Sequence, residues 1–149
     1  MMLKIIIDLV EFKYLTKENY ESRFDLGVFS TKRNAKKKIE DSVNLIGFKK
    51  YSTDNFEIIK FGVEFDSIEK DKSKVILYCV THEYKIDNDE FDYFNVFDYF
   101  STLEEAKDKV KYLQKYSRVG KKYPNNFEIV EIKVDNYNSW SEGFDELIK

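Results

Sequence analysis

The stretch FSTKRNAKKKIEDSVNLIGFKKYSTDNFEI at residues 29–58 returns as FSTLEEAKDKVKYLQKYSRVGKKYPNNFEI at residues 100–129. The two stretches align without a gap at an offset of 71 positions, and both begin with Phe-Ser-Thr and end with Asn-Phe-Glu-Ile. Upstream, KIIIDLVEFKY (4–14) aligns with KVILYCVTHEY (74–84) at an offset of 70. Similarity at a fixed period is the signature of an internal repeat, so we interpret the chain as a tandem duplication.

Each copy predicts the same order of elements. Two apolar, β-branched runs open the copy, and such runs are typical of strands. A helix follows, because Phe-Ser-Thr precedes an Ala-, Lys- and Glu-rich segment, and Thr102 with Glu105 has the spacing of a capping box. A third strand closes the unit. The predicted strands are 3–12, 22–29 and 55–65 in the first copy and 74–84, 92–100 and 126–134 in the second.

These elements predict an α+β fold made of two β-β-α-β units, with mainly antiparallel sheet and one helix per repeat around a pseudo-twofold axis. The predicted first repeat spans 1–70 and the second spans 71–135, while residues 136–149 form a C-terminal tail that packs on the repeats. A chain of 149 residues is long enough for all of this to form one compact domain.

Three strands and one helix leave the second face of each sheet uncovered. The strand FDYFNVFDYF at 91–100 carries apolar residues on both faces. Strict alternation places Phe91, Tyr93, Phe97 and Tyr99 on one face and Phe94, Val96 and Phe100 on the other. We expect the second face to meet the partner repeat, with a second chain or a ligand as the alternatives, so a homodimer stays possible.

The residues that carry most catalytic chemistry are few. His82 is the one histidine and Cys79 the one cysteine, and their spacing on a strand puts them on opposite faces. One cysteine and one histidine do not make a zinc site, and the chain has no phosphate-binding glycine motif and no serine elbow. We therefore predict no catalytic residues, no metal, no cofactor and no enzymatic activity.

Charge and aromatic residues point to a binding surface instead. Residues 1–73 hold 14 Lys and Arg against 13 Asp and Glu, whereas residues 74–149 hold 11 against 15. An acidic second half steers towards a basic partner, and exposed aromatic residues are frequent anchors of interfaces. The candidate partner-binding residues are Asp87, Asp89, Glu90, Asp92, Tyr93, Phe97, Tyr99 and Trp140.

A basic patch marks the start of the first helix. Its candidate residues are Lys32, Arg33, Lys36 and Lys37. Such a cluster suits nucleic-acid phosphates, although cations at a helix N-terminus oppose the helix dipole. We interpret the patch as an ordinary solvated face, with nucleic acid as the less favoured partner.

The second repeat and its tail, from VILYCVTHEY through FSTLEEA and NFEIVEIKVD to WSEGF, resemble small bacterial domains of unknown function. Those domains share the helix start carried here by Phe100, Ser101 and Ala106 and a C-terminal W-x-x-G-F block, here Trp140, Gly143 and Phe144. The resemblance implies a β-β-α-β fold and supplies no active site.

These observations predict a non-enzymatic protein that occludes a macromolecular partner, in the manner of toxin-immunity proteins or phage-encoded inhibitors of host defence. The partner we expect is another protein. The alternative is a small molecule or nucleotide held in an aromatic groove between repeats or protomers. No apolar run is long enough to cross a bilayer and the N-terminus lacks signal-peptide features, so we expect a cytoplasmic protein without a membrane partner.

Overall fold

The computed structural model describes residues 3–16, 19, 21–65, 75–85 and 92–144. In chain order its elements are β1 (Leu3–Leu15), β2 (Glu21–Phe29), α1 (Lys32–Ser42), β3 (Phe56–Phe65), β4 (Ile76–Lys85), β5 (Asp92–Phe100), α2 (Leu103–Tyr116), α3 (Arg118–Lys122) and β6 (Phe127–Lys133). Among the described residues no helix has the length and apolar character needed to cross a bilayer.

The strands form two antiparallel sheets of three. The first sheet has the order β2-β1-β3 and the second has the order β5-β4-β6, so the first strand of each unit lies at the centre. The central strands have the longest buried runs, as expected of strands flanked on both edges. The predicted α+β class and antiparallel pairing are confirmed.

The helices differ from the prediction of one per repeat. Thr31 accepts a hydrogen bond from the backbone of Asn34 at the start of α1, and Thr102 accepts one from Glu105 at the start of α2. At Ser117 the backbone becomes extended and ends α2, and the Ser117 hydroxyl then accepts from the backbone N–H of Gly120 and begins α3. The first unit has 3₁₀ turns at Phe48–Lys50 and Thr53–Asn55 instead.

The two sheets pack face to face, with α1 and α2 on the outer faces. The inter-sheet core joins both units and consists of Ile7, Leu9, Val28, Val63, Phe65, Val75, Leu77 and Val134. A second core, rich in aromatic residues, lies between α1 and the first sheet around Phe12 and Phe48. A smaller third core lies between α2 and the second sheet around Val80 and Ala106. The molecule therefore has four layers, helix, sheet, sheet and helix.

A β-bulge interrupts the same point of each sheet. The register shifts between Val10 and Glu11 in the first sheet and between Val80 and Thr81 in the second. An extra residue on the edge strand breaks strict alternation, so the predicted faces of β5 are wrong. Phe97 and Phe100 belong to the core beneath α2, whereas Tyr99 packs against the inter-sheet core.

The tail returns to the first unit. Asp135 accepts hydrogen bonds from the backbone N–H and the hydroxyl of Ser30, at 2.9 and 2.5 Å. The ammonium of Lys38 is buried and donates to the carbonyls of Tyr137 and Ser139. These bonds hold the tail against α1 and leave Lys38 unable to contribute to the basic patch.

Gly143 lets the tail place Phe144 in the core beneath α1. Its φ is +81°, and a Cβ there would lie 2.2 Å from the carbonyl oxygen of Ile46. This close approach lets the backbone N–H of Phe144 donate to that carbonyl at 2.9 Å. The ring of Phe144 then packs in the core beneath α1, so the glycine of the W-x-x-G-F block is required by sterics.

Phe12 lies at the centre of that aromatic core. Its fully buried ring contacts the rings of Tyr14, Phe24, Phe48 and Phe144, among others. We expect Phe12→Ala to lower the free energy of unfolding by about 3–5 kcal/mol, because it leaves a cavity in a packed core. Urea denaturation checks this, with Tyr112→Ala as the control for an exposed ring; equal losses in the two variants would contradict the prediction.

Candidate binding groove

A groove opens between the two sheets on the far side of the bulges, with a volume of about 780 Å³. We call it the inter-sheet groove. Its wall on the first sheet comes from β1, β2 and β3, and its opposite wall comes from β5. The lining residues are Leu9, Glu11, Arg23, Phe24, Asp25, Ile59, Phe61, Phe94, Asn95, Val96, Phe97, Asp98, Tyr99 and Trp140.

The apolar part of the groove changes from buried to exposed along its length. Phe61 of the first sheet stacks on Tyr99 of the second, with ring centroids 4.6 Å apart. Towards the open end Phe94 is 59% exposed, and Trp140 is 40% exposed while stacking on Phe24 at 4.3 Å. Aromatic surface of this kind, next to polar groups, is typical of a binding site.

Two carboxylates face each other on the wall of the groove. Glu11 and Asp25 are direct register partners on β1 and β2. Glu11 is only 4% exposed, and its Oε1 has no hydrogen-bond partner within the described part of the chain. Its nearest cations are Arg23 at 3.5 Å and Lys13 at 3.6 Å, which are ion-pair distances longer than a charge-assisted hydrogen bond of about 2.7–2.9 Å.

The acid pair perturbs the groups around it. Desolvation and the neighbouring Glu11 carboxylate raise the pKa of Asp25 above its ordinary 3.8, although Asp25 keeps contact with solvent and Arg23 acts in the opposite direction. Desolvation, with Asp25 adding to it, also raises the pKa of the Tyr99 phenol. The groove therefore disfavours further negative charge.

The thiol of Cys79 lies beside Tyr99. Desolvation and the charge of Asp25 raise its pKa to about 12, and a hydrogen bond with the Tyr99 side chain opposes this shift only in part. A thiol with such a pKa holds almost no thiolate at neutral pH and is a poor nucleophile.

The structure brings together some of the predicted partner-binding residues and separates others. Tyr99 and Trp140 line the inter-sheet groove, and Phe97 borders it although its ring belongs to the core beneath α2. Tyr93 instead stacks on Tyr84 on the helix side of the second sheet, with centroids 5.2 Å apart. Asp87, Asp89 and Glu90 lie outside the described residues, and so does the side chain of Asp92.

The basic patch is separate from the groove. Lys32, Arg33, Lys36 and Lys37 line a shallow depression at the start of α1, together with Asn34 and Glu40. All four cations are exposed, and Lys37 lies over the ring of Tyr137 at 4.9 Å.

His82 is buried beneath the helices of the second unit, on the face away from the groove. Its Nε2 donates to the carbonyl of Tyr123 at 2.9 Å, and its ring packs 4.3 Å from that of Phe127. The offset of 70 aligns His82 with Phe12, and both rings sit at the equivalent place of their sheets. Its surroundings are those of a structural side chain.

Sequence reasoning missed Glu11, Asp25 and Phe61. Glu11 did leave a signal, because it follows Ile5, Ile7 and Leu9 at alternate positions and so continues their buried face with a charge. Asp25 left none, since its pairing with Glu11 depends on the bulge. Among the described residues no three His, Cys, Asp or Glu side chains cluster as a metal site would require.

No family model, no curated protein and no solved structure matches this chain.

We expect Asp25→Asn to raise the midpoint of thermal unfolding at pH 7. The raised pKa means that the folded state favours the protonated carboxyl, so the charged form lowers stability above that pKa. The advantage should vanish as the pH falls below 3.8, where the wild-type carboxyl is protonated in both the folded and the unfolded chain. Asp108→Asn, on the exposed face of α2, is the control. A rise in the unfolding midpoint of Asp25→Asn that did not change with pH would contradict the raised pKa of Asp25.

We also expect Cys79 to resist alkylation in the native protein. At pH 8 its modification by iodoacetamide should proceed only as fast as the structure opens, because the thiol is buried and has a raised pKa. Mass spectrometry with and without urea measures the two rates. Rapid labelling of the folded chain would contradict the burial of the Cys79 thiol.

Proposed function

We propose that this chain is a non-enzymatic binding protein that covers part of another protein through the inter-sheet groove. One observation supports this proposal: the same groove contains exposed aromatic residues, Phe94 and Trp140, and a buried carboxylate, Glu11, whose Oε1 has no hydrogen bond within the described residues. Toxin-immunity proteins and phage-encoded inhibitors of host defence act by such occlusion, and this chain is proposed to act in the same way.

The charge of the groove supports a basic partner. Three carboxylates, those of Glu11, Asp25 and Asp98, line it against the single guanidinium of Arg23. A potential of one sign speeds association with a partner of the opposite sign and discriminates against other partners. The same charge argues against a nucleotide in the groove, since its phosphates would meet these carboxylates.

A small molecule is the second candidate. A volume of about 780 Å³ is within the range of ligand sites, and the stacked pair of Phe61 and Tyr99 offers a flat apolar surface. A ligand that binds there would raise the midpoint of thermal unfolding in proportion to its occupancy.

We also propose that the two units arose by tandem duplication. The bulges support it, because Val10 and Val80, which are 70 positions apart, precede the shift in register in their sheets. The contacts of β2 with β6 and of β3 with β5 support it as well. A twofold axis that exchanges the units would relate these two contacts to each other.

No catalytic role is assigned to Cys79 or His82. The thiol has a raised pKa, and the histidine lies in the core on the opposite face of β4. Nucleophilic catalysis needs an activated nucleophile within hydrogen-bond reach of a base, and this arrangement does not supply one.

The test is affinity capture from host lysate after nuclease treatment, with the tagged wild-type chain and two matched variants. Phe94→Ser removes a ring that is 59% exposed in the groove, and Tyr112→Ser removes one that is 55% exposed on α2. We expect one stoichiometric protein to be retained by the wild type and by Tyr112→Ser and lost from Phe94→Ser. Equal capture by both variants would place the interface elsewhere and refute the proposal.

A further inference from the structure

We propose that the inter-sheet groove receives an arginine side chain of the partner protein, with its guanidinium between Glu11 and Asp25 and its stem along the aromatic rim. This inference rests on the proposed function and names the chemistry of the partner. It follows from the hydrogen-bonding state of Glu11, the geometry of the acid pair and the rings beside it.

Oε1 of Glu11 is buried without a hydrogen bond from the described residues, although two cations lie at ion-pair distance from it. A carboxylate this deeply buried is normally hydrogen-bonded, because burial removes the water that would otherwise solvate its charge. Its Oε1 has no hydrogen bond, and the cations near it are shared. Lys13 also pairs with Glu57 at 3.4 Å, and Arg23 also pairs with Glu21 at 3.6 Å. Oε1 of Glu11 can therefore still accept a hydrogen bond from a ligand in the groove.

The acid pair suits a guanidinium better than an ammonium. Glu11 and Asp25 are opposite each other on neighbouring strands, where side chains begin about 4.5–5.5 Å apart. A guanidinium presents five N–H donors in a flat fork and can bond both carboxylates at once. An ammonium is a compact, strongly hydrated charge, and losing its water on entering the groove costs more.

The rings beside the pair favour the same group. Phe94 and Trp140 line the groove and are 59% and 40% exposed. A guanidinium and its aliphatic stem pack favourably on aromatic faces. In the proposed complex, the stem of the partner's arginine covers these rings.

Arg23 already places a guanidinium beside one member of the pair. Its Nη1 lies 3.5 Å from Oε1 of Glu11, and its side chain is 52% exposed. Half-exposed and at ion-pair distance, this guanidinium can move outward into solvent when another approaches. Arg23 therefore acts as an internal competitor for the partner's arginine.

The experiment titrates the full chain with three capped tripeptides, Gly-X-Gly, in which X is arginine, citrulline or lysine. Trp140 is the single tryptophan, so its fluorescence reports on the rim of the groove, and calorimetry gives the affinity. Citrulline keeps the shape of arginine and lacks its charge. We expect the arginine peptide to bind at least tenfold more tightly than the citrulline peptide and more tightly than the lysine peptide. Equal binding of arginine and citrulline would overturn the inference.

Variants locate the binding site. Glu11→Gln and Asp25→Asn should each weaken binding of the arginine peptide about tenfold, whereas Glu131→Gln, on the exposed side of β6, should not. Asp25 keeps solvent contact, so its variant stays folded even if Glu11→Gln proves unstable. If Glu131→Gln and Asp25→Asn weakened binding of the arginine peptide equally, the effect would come from net charge alone. That result would refute the placement of the peptide between Glu11 and Asp25.

Arg23→Gln provides the opposite prediction. It should strengthen binding of the arginine peptide several-fold by removing the internal competitor, while Arg118→Gln on exposed α3 should leave it unchanged. Weaker binding in Arg23→Gln would overturn the inference. If Phe94→Ser loses a captured protein but no peptide shows a preference for arginine, the arginine assignment fails and the proposed function stands.

Discussion

Each sheet has two apolar faces, and its helices cover only one of them. One helix covers one face of three strands, so the other face of each sheet would meet water if the unit stood alone. Packing the two sheets against each other buries both faces at once, in a core that includes Leu9 and Leu77. Burying such side chains contributes about 1.5–3 kcal/mol each. A single β-β-α-β unit lacks this contribution, and two units provide it to each other.

The bulges limit how far that packing extends. A bulge increases the local twist of a sheet, and here each sheet has one at the same depth. On one side the inner faces are closely packed, as the stacked rings of Phe61 and Tyr99 show. On the other side the inner faces carry Arg23 and Asp25 opposite Phe94 and Val96, and the space between them stays open. The β-bulges that twist the two sheets therefore also separate their inner faces and form the inter-sheet groove.

The charged wall of the inter-sheet groove lowers the stability of the fold. A buried carboxylate with weak ion pairs and a second carboxylate with a raised pKa both oppose folding. Packing on the helix side of the first unit offsets this cost, because the tail and the aromatic rings around Phe12 form a well-buried core there. Packing elsewhere in the first unit therefore offsets the cost of these two carboxylates, which is the pattern on which the proposed function rests.

Most of the strands and the helix starts at Thr31 and Thr102 were predictable from the sequence, because they follow from local periodicity and capping chemistry. The placement of Cys79 and His82 on opposite sides of β4 was predictable in the same way. The faces of β5 and the pairing of Glu11 with Asp25 were not predictable, since each depends on one extra residue in an edge strand. The same holds for the break at Ser117 and for the return of the tail to the first unit. Register and contacts between distant residues are set by packing in three dimensions, which no local pattern of residues encodes.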